Sequence, residues 1–285
     1  MQIAVLNQYK ADLQSMYHAK LSDVDFVTKG TQIMTEVNNW VRNSTKGMIK
    51  SVMGEPPAQD TRSIILSVIG FKGKWEKPFP KSRTQKMNFF NNGVNETQTD
   101  FMLLGEESFS HKRLQIGGED VQALELAYVN DSVSMIILLP EERNGLQSIL
   151  SSNTSEADLT SAVTEVSSFN ETASFNMAIP KFKLETEYTL NPTLMHMGIR
   201  DVFSSRDADL SGMNGQRNLY VSYVKHKAVV RVDEEGTEAV AVSSIGIVED
   251  SLVISSNFTA DHPFLFLIKD KVTSVIFFIG KVEKF

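Results

Sequence analysis

The sequence predicts an α+β fold that occupies a single large domain. Helical periodicity is confined mainly to the N-terminal part, whereas most later apolar segments are short and strand-like, which is the α+β pattern. The chain has 285 residues, which is long enough to bury a sizeable core. No internal repeat, low-complexity tract or Gly/Pro-rich linker divides it, so one domain over residues 1–285 is the simpler prediction.

Two amphipathic helices are predicted near the N-terminus. The first covers residues 2–20 and has no capping residue before it, so the chain is expected to begin inside a helix. The second is followed by a short apolar turn that begins at Thr45. Their apolar faces consist of Ile3, Leu6, Leu13, Met16 and Tyr17 in the first helix and Ile33, Met34, Val37, Trp40 and Val41 in the second.

The rest of the chain is predicted to be rich in strands. Two nearly continuous apolar runs, residues 63–71 and 133–139, indicate strands that are covered on both faces. A short helix is predicted at residues 190–197. The other predicted strands are residues 175–179, residues 219–232, and a closing hairpin of residues 264–268 and 272–279 around Lys269-Asp270-Lys271.

The composition excludes several classes of function. Lys and Arg total 28 against 35 Asp and Glu, for a formal net charge of −7 without a polybasic run, so neither nucleic acid nor a membrane is predicted as a partner. The absence of cysteine excludes disulfides, a catalytic thiol and thiolate metal sites. No apolar run approaches the roughly 20 residues that span a bilayer. The N-terminus lacks the basic-then-apolar form of a signal peptide.

Six Asn-x-Ser/Thr triplets bear on the compartment. They slightly exceed what this composition gives by chance, and a glycosylation acceptor matters only in a secreted chain. We therefore expect a secreted, extracellular glycoprotein, with chance occurrence of the triplets in a cytoplasmic protein as the alternative. The candidate acceptors are Asn43, Asn95, Asn130, Asn153, Asn170 and Asn257.

Catalytic and cofactor motifs are missing from the sequence. There is no G-x-S-x-G elbow, no P-loop and no G-x-G-x-x-G, and no histidine lies at metal-ligand spacing from a second histidine or a close carboxylate. The members of a Ser/His/Asp triad meet only in the fold, so such a triad has no signature here. We predict neither an enzyme nor a bound cofactor or metal. The five histidines are His18, His111, His196, His226 and His262.

One segment has the composition of a strand at a place where a loop is needed. Residues 234–257, EEGTEAVAVSSIGIVEDSLVISSN, begin with two acids and a glycine and continue with small and β-branched residues. The segment contains no proline, lysine or arginine, so no residue in it blocks a β-ladder or buries a cation. A soluble segment that is able to become a strand is a stored conformational switch.

This segment and its surroundings resemble the serpins, the family of serine protease inhibitors. Residues 233–239, DEEGTEA, are similar to the hinge of the family's exposed loop, and residues 258–268, FTADHPFLFLI, to its C-terminal signature. Residues 38–41 with 45–49 resemble the helix that lies across the main sheet, and residues 71–79 its third strand. Further segments match in the family's order, namely residues 179–182, 197–199, 208–212 and 224–228.

The resemblance implies a serpin fold, with several β-sheets, a large central sheet A, surrounding helices and an exposed reactive-centre loop at about residues 234–257. The family's N-terminal helices and first strand find no match, so an N-terminally truncated single domain is expected. The implied function is protease inhibition by a suicide substrate, in which the cleaved loop inserts into sheet A and traps the acyl-enzyme. A non-inhibitory binding protein and an inactive truncated fragment are the alternatives. The implied partner of the monomer is a serine protease, with a cysteine protease as the alternative.

The hinge residues fit this implied insertion. Gly236 supplies a bend, and from Thr237 onward alternate side chains would face the core, small where insertion begins. Val240 and Val242 are bulkier than the family's usual alanines, which predicts slower insertion. The hinge residues carried over from the family are Glu234, Glu235, Gly236, Thr237, Glu238, Ala239, Val240 and Ala241.

Two positions are open for the bond that the protease cuts. Counting forward from Gly236 by the family's usual hinge length places it between Asp250 and Ser251, which suits an aspartate-directed protease. Counting back from Pro263 places it between Leu252 and Val253, which suits a chymotrypsin- or elastase-like protease. We favour the first position and keep the second as its alternative.

Four further residues match the family's sheet-opening region. His226 matches a histidine whose usual partner is an asparagine, but Ser67 stands at that place and has a shorter reach to the imidazole. The resemblance places Trp75 under the point where insertion begins. Lys181 matches the cation that pairs with Glu234, and we expect an exposed pair worth about 0–1 kcal/mol.

Overall fold

The computed structural model describes residues 4–129, 132–151, 164–165, 171–234 and 256–285. The chain forms two compact units, Met1–Phe71 with Lys183–Arg231 and Lys72–Phe182 with Val232–Phe285. The described helices are α1 (Asn7–Tyr17), α2 (Gly30–Ser44), α3 (Gly145–Ile149), α4 (Asn191–His196) and α5 (Ser211–Asn214), with short 3₁₀ turns at Lys81–Arg83 and Asp201–Phe203. The described strands are β1 (Ile64–Phe71), β2 (Gln85–Asn91), β3 (Asn95–Ile116), β4 (Glu119–Ala127), β5 (Val133–Pro140), β6 (Glu171–Pro180), β7 (Phe182–Thr189), β8 (Tyr223–Val232), β9 (Ser256–Thr259), β10 (Phe264–Asp270) and β11 (Ile276–Val282).

The first unit contains a three-stranded sheet in the order β1-β8-β7. β1 and β8 are parallel and pair from Ile64 opposite Tyr223 to Phe71 opposite Val230. Helix α2 and the connection that follows it supply the buried side chains of a core shared with this sheet. Its buried members are Val41, Ile49, Val52, Met53 and Val229.

Side-chain hydrogen bonds fold the connection after α2 back onto the helix. Asn38 Oδ1 accepts hydrogen bonds from the backbone N–H groups of Val52 and Met53 at 2.9 and 3.0 Å, and its Nδ2 donates to Met53 O at 2.9 Å. The buried hydroxyl of Thr45 donates to Val41 O at 2.8 Å. The predicted apolar turn at Thr45 is thus tied to α2 by polar groups that satisfy its backbone.

The second unit is built on an eight-stranded sheet in the order β11-β10-β5-β4-β3-β6-β9, with β2 paired to β3. β5 and β10 are antiparallel neighbours inside this sheet. Their residues are buried almost without interruption, which explains the continuous apolar runs in their sequences. One core cluster of this unit consists of Leu114, Ile116, Val121, Ala123, Ile136, Leu138, Leu146, Ile149, Leu265 and Leu267.

The predicted elements are confirmed in kind, but several boundaries were wrong. The first helix was expected over residues 2–20, but α1 begins only at Asn7, after the non-helical residues 4–6. It ends at Tyr17 because His18 adopts a left-handed conformation with φ 50°. β1 ends at Phe71, so most of the segment 71–79, assigned to the third strand, follows that strand. β8 begins at Tyr223 instead of residue 219, and the closing hairpin leaves its first strand at Asp270 and enters its second at Ile276.

Candidate functional site

The residues at the base of the 234–257 segment are buried and fixed. Glu234 directly follows Asp233 at the end of β8, and its side chain is only 7% exposed. Its Oε1 accepts hydrogen bonds from Thr84 Oγ1 at 2.7 Å and from Lys181 Nζ at 3.0 Å. Its main-chain oxygen accepts a third from Phe79 N at 3.3 Å. The expectation of an exposed ion pair was wrong, because the carboxylate of this pair is buried.

The charge state of Glu234 follows from these partners. Burial alone raises the pKa of its carboxyl group, but hydrogen bonds from Thr84 and Lys181 and the nearby ammonium charge favour the ionised form more strongly. The net pKa of Glu234 therefore lies below its ordinary value. The base of the segment thus holds a buried carboxylate that is ionised at neutral pH.

Asp233 is held through both its main chain and its side chain. The indole Nε1–H of Trp75 donates to Asp233 O at 2.8 Å, and Lys72 Nζ lies 3.4 Å from Asp233 Oδ2. Trp75 is buried and stacks on Tyr128 with ring centroids 4.4 Å apart. Burial raises the pKa of the Tyr128 phenol. The chain that leaves β8 is therefore anchored at two consecutive residues, and Trp75 lies directly at this anchor.

Two other predicted site residues lie on the β1–β8 pair of the first unit. Ser67 stands opposite His226 in the strand register, and Ser67 Oγ lies 3.1 Å from His226 Nδ1. The serine is exposed and the histidine is half-buried. The hydroxyl thus bridges the two strands despite its shorter reach than an asparagine amide.

Much of the predicted loop lies outside the described residues. The hinge residues Glu235 to Ala241 and both candidate scissile bonds (Asp250, Ser251, Leu252 and Val253) lie there. The sequons at Asn130, Asn153 and Asn170 also lie outside the described residues. Ser256 and Asn257, placed at the end of the loop, belong to β9. The acceptors Asn43, Asn95 and Asn257 are exposed.

The sequence had not indicated several partners at the base of the segment. Thr84, Lys72 and Tyr128 each contact a predicted site residue or its neighbour, but Thr84 and Glu234 are 150 positions apart in sequence. No local pattern records such a distant pairing. Within the described residues, no group of three or more His, Asp or Glu side chains is arranged to hold a metal ion. The described helices include none with the length and apolar character needed to cross a membrane.

Comparison with known proteins identifies the family. The whole chain, residues 1–285, matches the family described as serpin (serine protease inhibitor). Iripin-8 of Ixodes ricinus is 38% identical over 98% of this chain and 68% of its own length. Intracellular coagulation inhibitor 1 of Tachypleus tridentatus is 36% identical over 98% of this chain and 66% of its own length. The crystal structure of uncleaved ovalbumin superimposes with a TM-score of 0.82 at 30% identity, covering 99% of this chain and 70% of ovalbumin. The chain therefore belongs to the serpin family of serine protease inhibitors and has the serpin fold.

Proposed function

We propose that this chain is a single serpin domain that inhibits a serine protease as a suicide substrate, by inserting its cleaved loop between β1 and β8. The observation that carries the proposal is the parallel pairing of these strands over eight residue pairs. A chain that leaves the end of β8 and turns back runs antiparallel to both strands. Insertion then replaces one parallel pairing with two antiparallel ones, and parallel pairing is slightly less stable per residue. The alternation of small residues from Thr237 supports the same path.

The anchored base gives the inserted segment a fixed starting point. Glu234 and Asp233 are held by five contacts to Phe79, Thr84, Lys181, Trp75 and Lys72. Because this base is fixed, the residues that follow it enter the sheet in one register. A slip of a single residue would turn the small side chains away from the core.

The test is to mix the chain with a panel of serine proteases of aspartate-directed, chymotrypsin-like and elastase-like specificity, with a caspase as the cysteine-protease arm. We expect a complex that survives denaturation in SDS, because the acyl-enzyme is covalent. Mass spectrometry of the released C-terminal peptide identifies the bond. A peptide that starts at Ser251 supports the Asp250–Ser251 bond, and one that starts at Val253 moves the bond to Leu252–Val253.

A matched pair of variants tests the insertion step. Thr237→Lys places a cation on the face that enters the core, whereas Glu238→Lys places the same cation on the opposite face. We expect Thr237→Lys to be cleaved without forming the complex and Glu238→Lys to retain it. Equal complex formation by both variants contradicts insertion with this alternation. Cleavage of the unchanged chain without any complex points instead to a non-inhibitory binding protein or an inactive fragment.

We further propose that the protein is secreted and glycosylated, with a cytoplasmic location as the alternative. Exposure of Asn43, Asn95 and Asn257 supports the first, whereas the name of Intracellular coagulation inhibitor 1 suggests the second. Digestion of the natural protein with an N-glycanase distinguishes them. A fall in mass supports secretion, and an unchanged mass contradicts glycosylation.

A further inference from the structure

Five charged side chains form a continuous ladder along the neighbouring strands β7 and β8. At its centre, Lys227 Nζ on β8 lies 3.0 Å from Glu185 Oε1 and 3.4 Å from Glu187 Oε2, both on β7. Lys225 Nζ lies 3.2 Å from Glu187 Oε1. Lys183 Nζ lies 2.9 Å from Glu185 Oε2. Three of the four contacts therefore link one strand to the other, and the contact of Lys183 stays within β7.

Lys227 contributes most to the ionic contact between β7 and β8, because its side chain is buried. Its side chain is 11% exposed, whereas those of Glu185 and Glu187 are 39% and 41% exposed. An ammonium group that is removed from water is costly unless carboxylates compensate it, and both compensating groups come from β7. Hydrogen bonds from Lys183 and then Lys227 lower the pKa of Glu185, so this carboxylate is ionised at neutral pH. Separating β7 from β8 would leave this cation without either partner.

The other edge of β8 has no such link. β1 has the sequence IILSVIGF and contains no charged residue. Leu66 stands opposite Lys225 and Val68 opposite Lys227, so each lysine has an apolar neighbour on this side. The ion pairs of β8 with its two neighbouring strands are therefore confined to the β7 side.

We propose that the ladder centred on Lys227 binds β7 and β8 into one rigid pair, so that the sheet parts on the β1 side of β8. The inference rests on the proposed strand insertion. An inserting strand needs β8 as a regular edge, and β8 stays regular when its opposite edge remains paired with β7. Separating β8 from β1 breaks the backbone hydrogen bonds of a parallel pair and the Ser67–His226 contact. Separating β8 from β7 would instead leave the buried ammonium of Lys227 without its carboxylate partners. Lys227 is thus a positioning residue that determines which boundary opens.

The first test is amide hydrogen exchange on the full chain without a protease. Lys227→Met removes the charge and keeps an unbranched side chain that is one atom shorter. We expect the β7 amides to exchange roughly tenfold faster than in the unchanged chain, while the β1 amides are unaffected. Lys227→Arg, which retains the charge, is expected to restore the protection of β7.

Lys183→Met is the matched control, because its ion pair does not cross between strands. It should change β7 exchange by less than about twofold. Three results each overturn the proposal. They are an unchanged rate of β7 amide exchange in Lys227→Met, an equal acceleration of β7 exchange in Lys183→Met, and an acceleration of β1 exchange similar to that of β7. The last of these results would mean that Lys227 stabilises the sheet as a whole and does not determine which boundary opens.

The second test measures how the chain partitions between the SDS-resistant complex and cleaved inhibitor. We expect Lys227→Met to raise the cleaved fraction per complex several-fold and Lys227→Arg to return it to the original value. An unchanged partition in Lys227→Met overturns its role in insertion. If the unchanged chain forms no complex, the proposed inhibition fails, and hydrogen exchange alone decides whether the ladder binds β7 to β8.

Discussion

Replacement of Lys181 by methionine tests the ionic base of the loop most directly. The change keeps an unbranched side chain, one atom shorter, and removes the ammonium that lies 3.0 Å from Glu234 Oε1. The carboxylate, with its side chain only 7% exposed, would retain the Thr84 hydroxyl at 2.7 Å and lose its counter-charge. A buried charge that loses its partner destabilises the fold because water does not replace that partner.

The magnitude follows from the burial of the two partners. Removing one member of a fully buried pair costs about 3–5 kcal/mol, and an exposed pair is worth about 0–1 kcal/mol. The side chain of Lys181 is 35% exposed and Thr84 remains, so the pair falls between these limits. We expect Lys181→Met to lower the free energy of unfolding by about 1–2 kcal/mol at pH 7. The double variant with Glu234→Gln should cost less than the sum of the two single variants, because no charge is left unpaired.

The contribution of Glu234 to the free energy of unfolding decreases as the pH falls. The folded pKa of Glu234 lies below its ordinary value, so ionisation of this group stabilises the fold above the unfolded pKa of about 4.3. That contribution is lost as the pH falls through the lower, folded pKa. The difference in stability between the unchanged chain and Glu234→Gln should therefore shrink below about pH 4. In Lys181→Met the pKa of Glu234 rises, so the loss should begin at higher pH.

The assay is urea unfolding followed by circular dichroism at several pH values. Lys183→Met is the control, because its pair with Glu185 is exposed on both sides, 51% and 39%, and should change stability by no more than about 0.5 kcal/mol. Equal effects of Lys181→Met and Lys183→Met would refute the argument from burial. Strict additivity in the double variant would refute the direct pairing of Lys181 with Glu234.

Two further predictions concern the scaffold and use the same unfolding assay. Asn38→Ala removes three hydrogen bonds to the connection after α2 and should cost about 2–3 kcal/mol, whereas the exposed Asn39→Ala should stay within about 0.5 kcal/mol; equal effects would contradict the anchoring role. Gly93 has φ +78° and a Cβ there would lie 2.5 Å from Arg143 O, so Gly93→Ala should cost about 2–3 kcal/mol. Gly118 has φ +85° and open space around a Cβ, so Gly118→Ala introduces backbone strain without a steric clash and should cost about 1 kcal/mol. A larger loss of stability in Gly118→Ala than in Gly93→Ala would contradict a role for the clash with Arg143.

The sequence predicted the buried strands well and the polar ones poorly. β5 and β10 are flanked by strands on both edges and buried on both faces, so continuous apolar runs record them. β3 is 22 residues long, and its register is interrupted between Leu104 and Glu107. Much of its surface is polar and exposed, so it shows neither a continuous apolar run nor a sustained alternation. β7 is also polar, since its two glutamates pair with lysines of β8 instead of entering a core.

The family resemblance indicated two contacts that the structure contains, Lys181 with Glu234 and Ser67 with His226, but not the other partners at the base of the loop. The hinge motif located Glu234, and family order located Lys181 and Trp75. Burial of Glu234 was not foreseen, because two adjacent acids and a glycine are typical of an exposed turn. The carboxylate becomes buried because Thr84 and Phe79 supply donors from 150 or more positions away. Such pairings depend on tertiary structure, and periodicity contains no record of them.

The proposed mechanism requires one boundary to open while its surroundings remain closed, and the charges are distributed accordingly. Ionic contacts hold the base of the loop through Glu234 and hold β8 to β7 through Lys227. The β1–β8 boundary, in contrast, is bridged by the side-chain contact of Ser67 with His226, in which no carboxylate takes part. An ion pair with a buried member resists separation strongly, because its rupture leaves a desolvated charge. On the proposed mechanism, the difference between the Lys–Glu ion pairs and the Ser67–His226 contact directs the cleaved loop to one boundary.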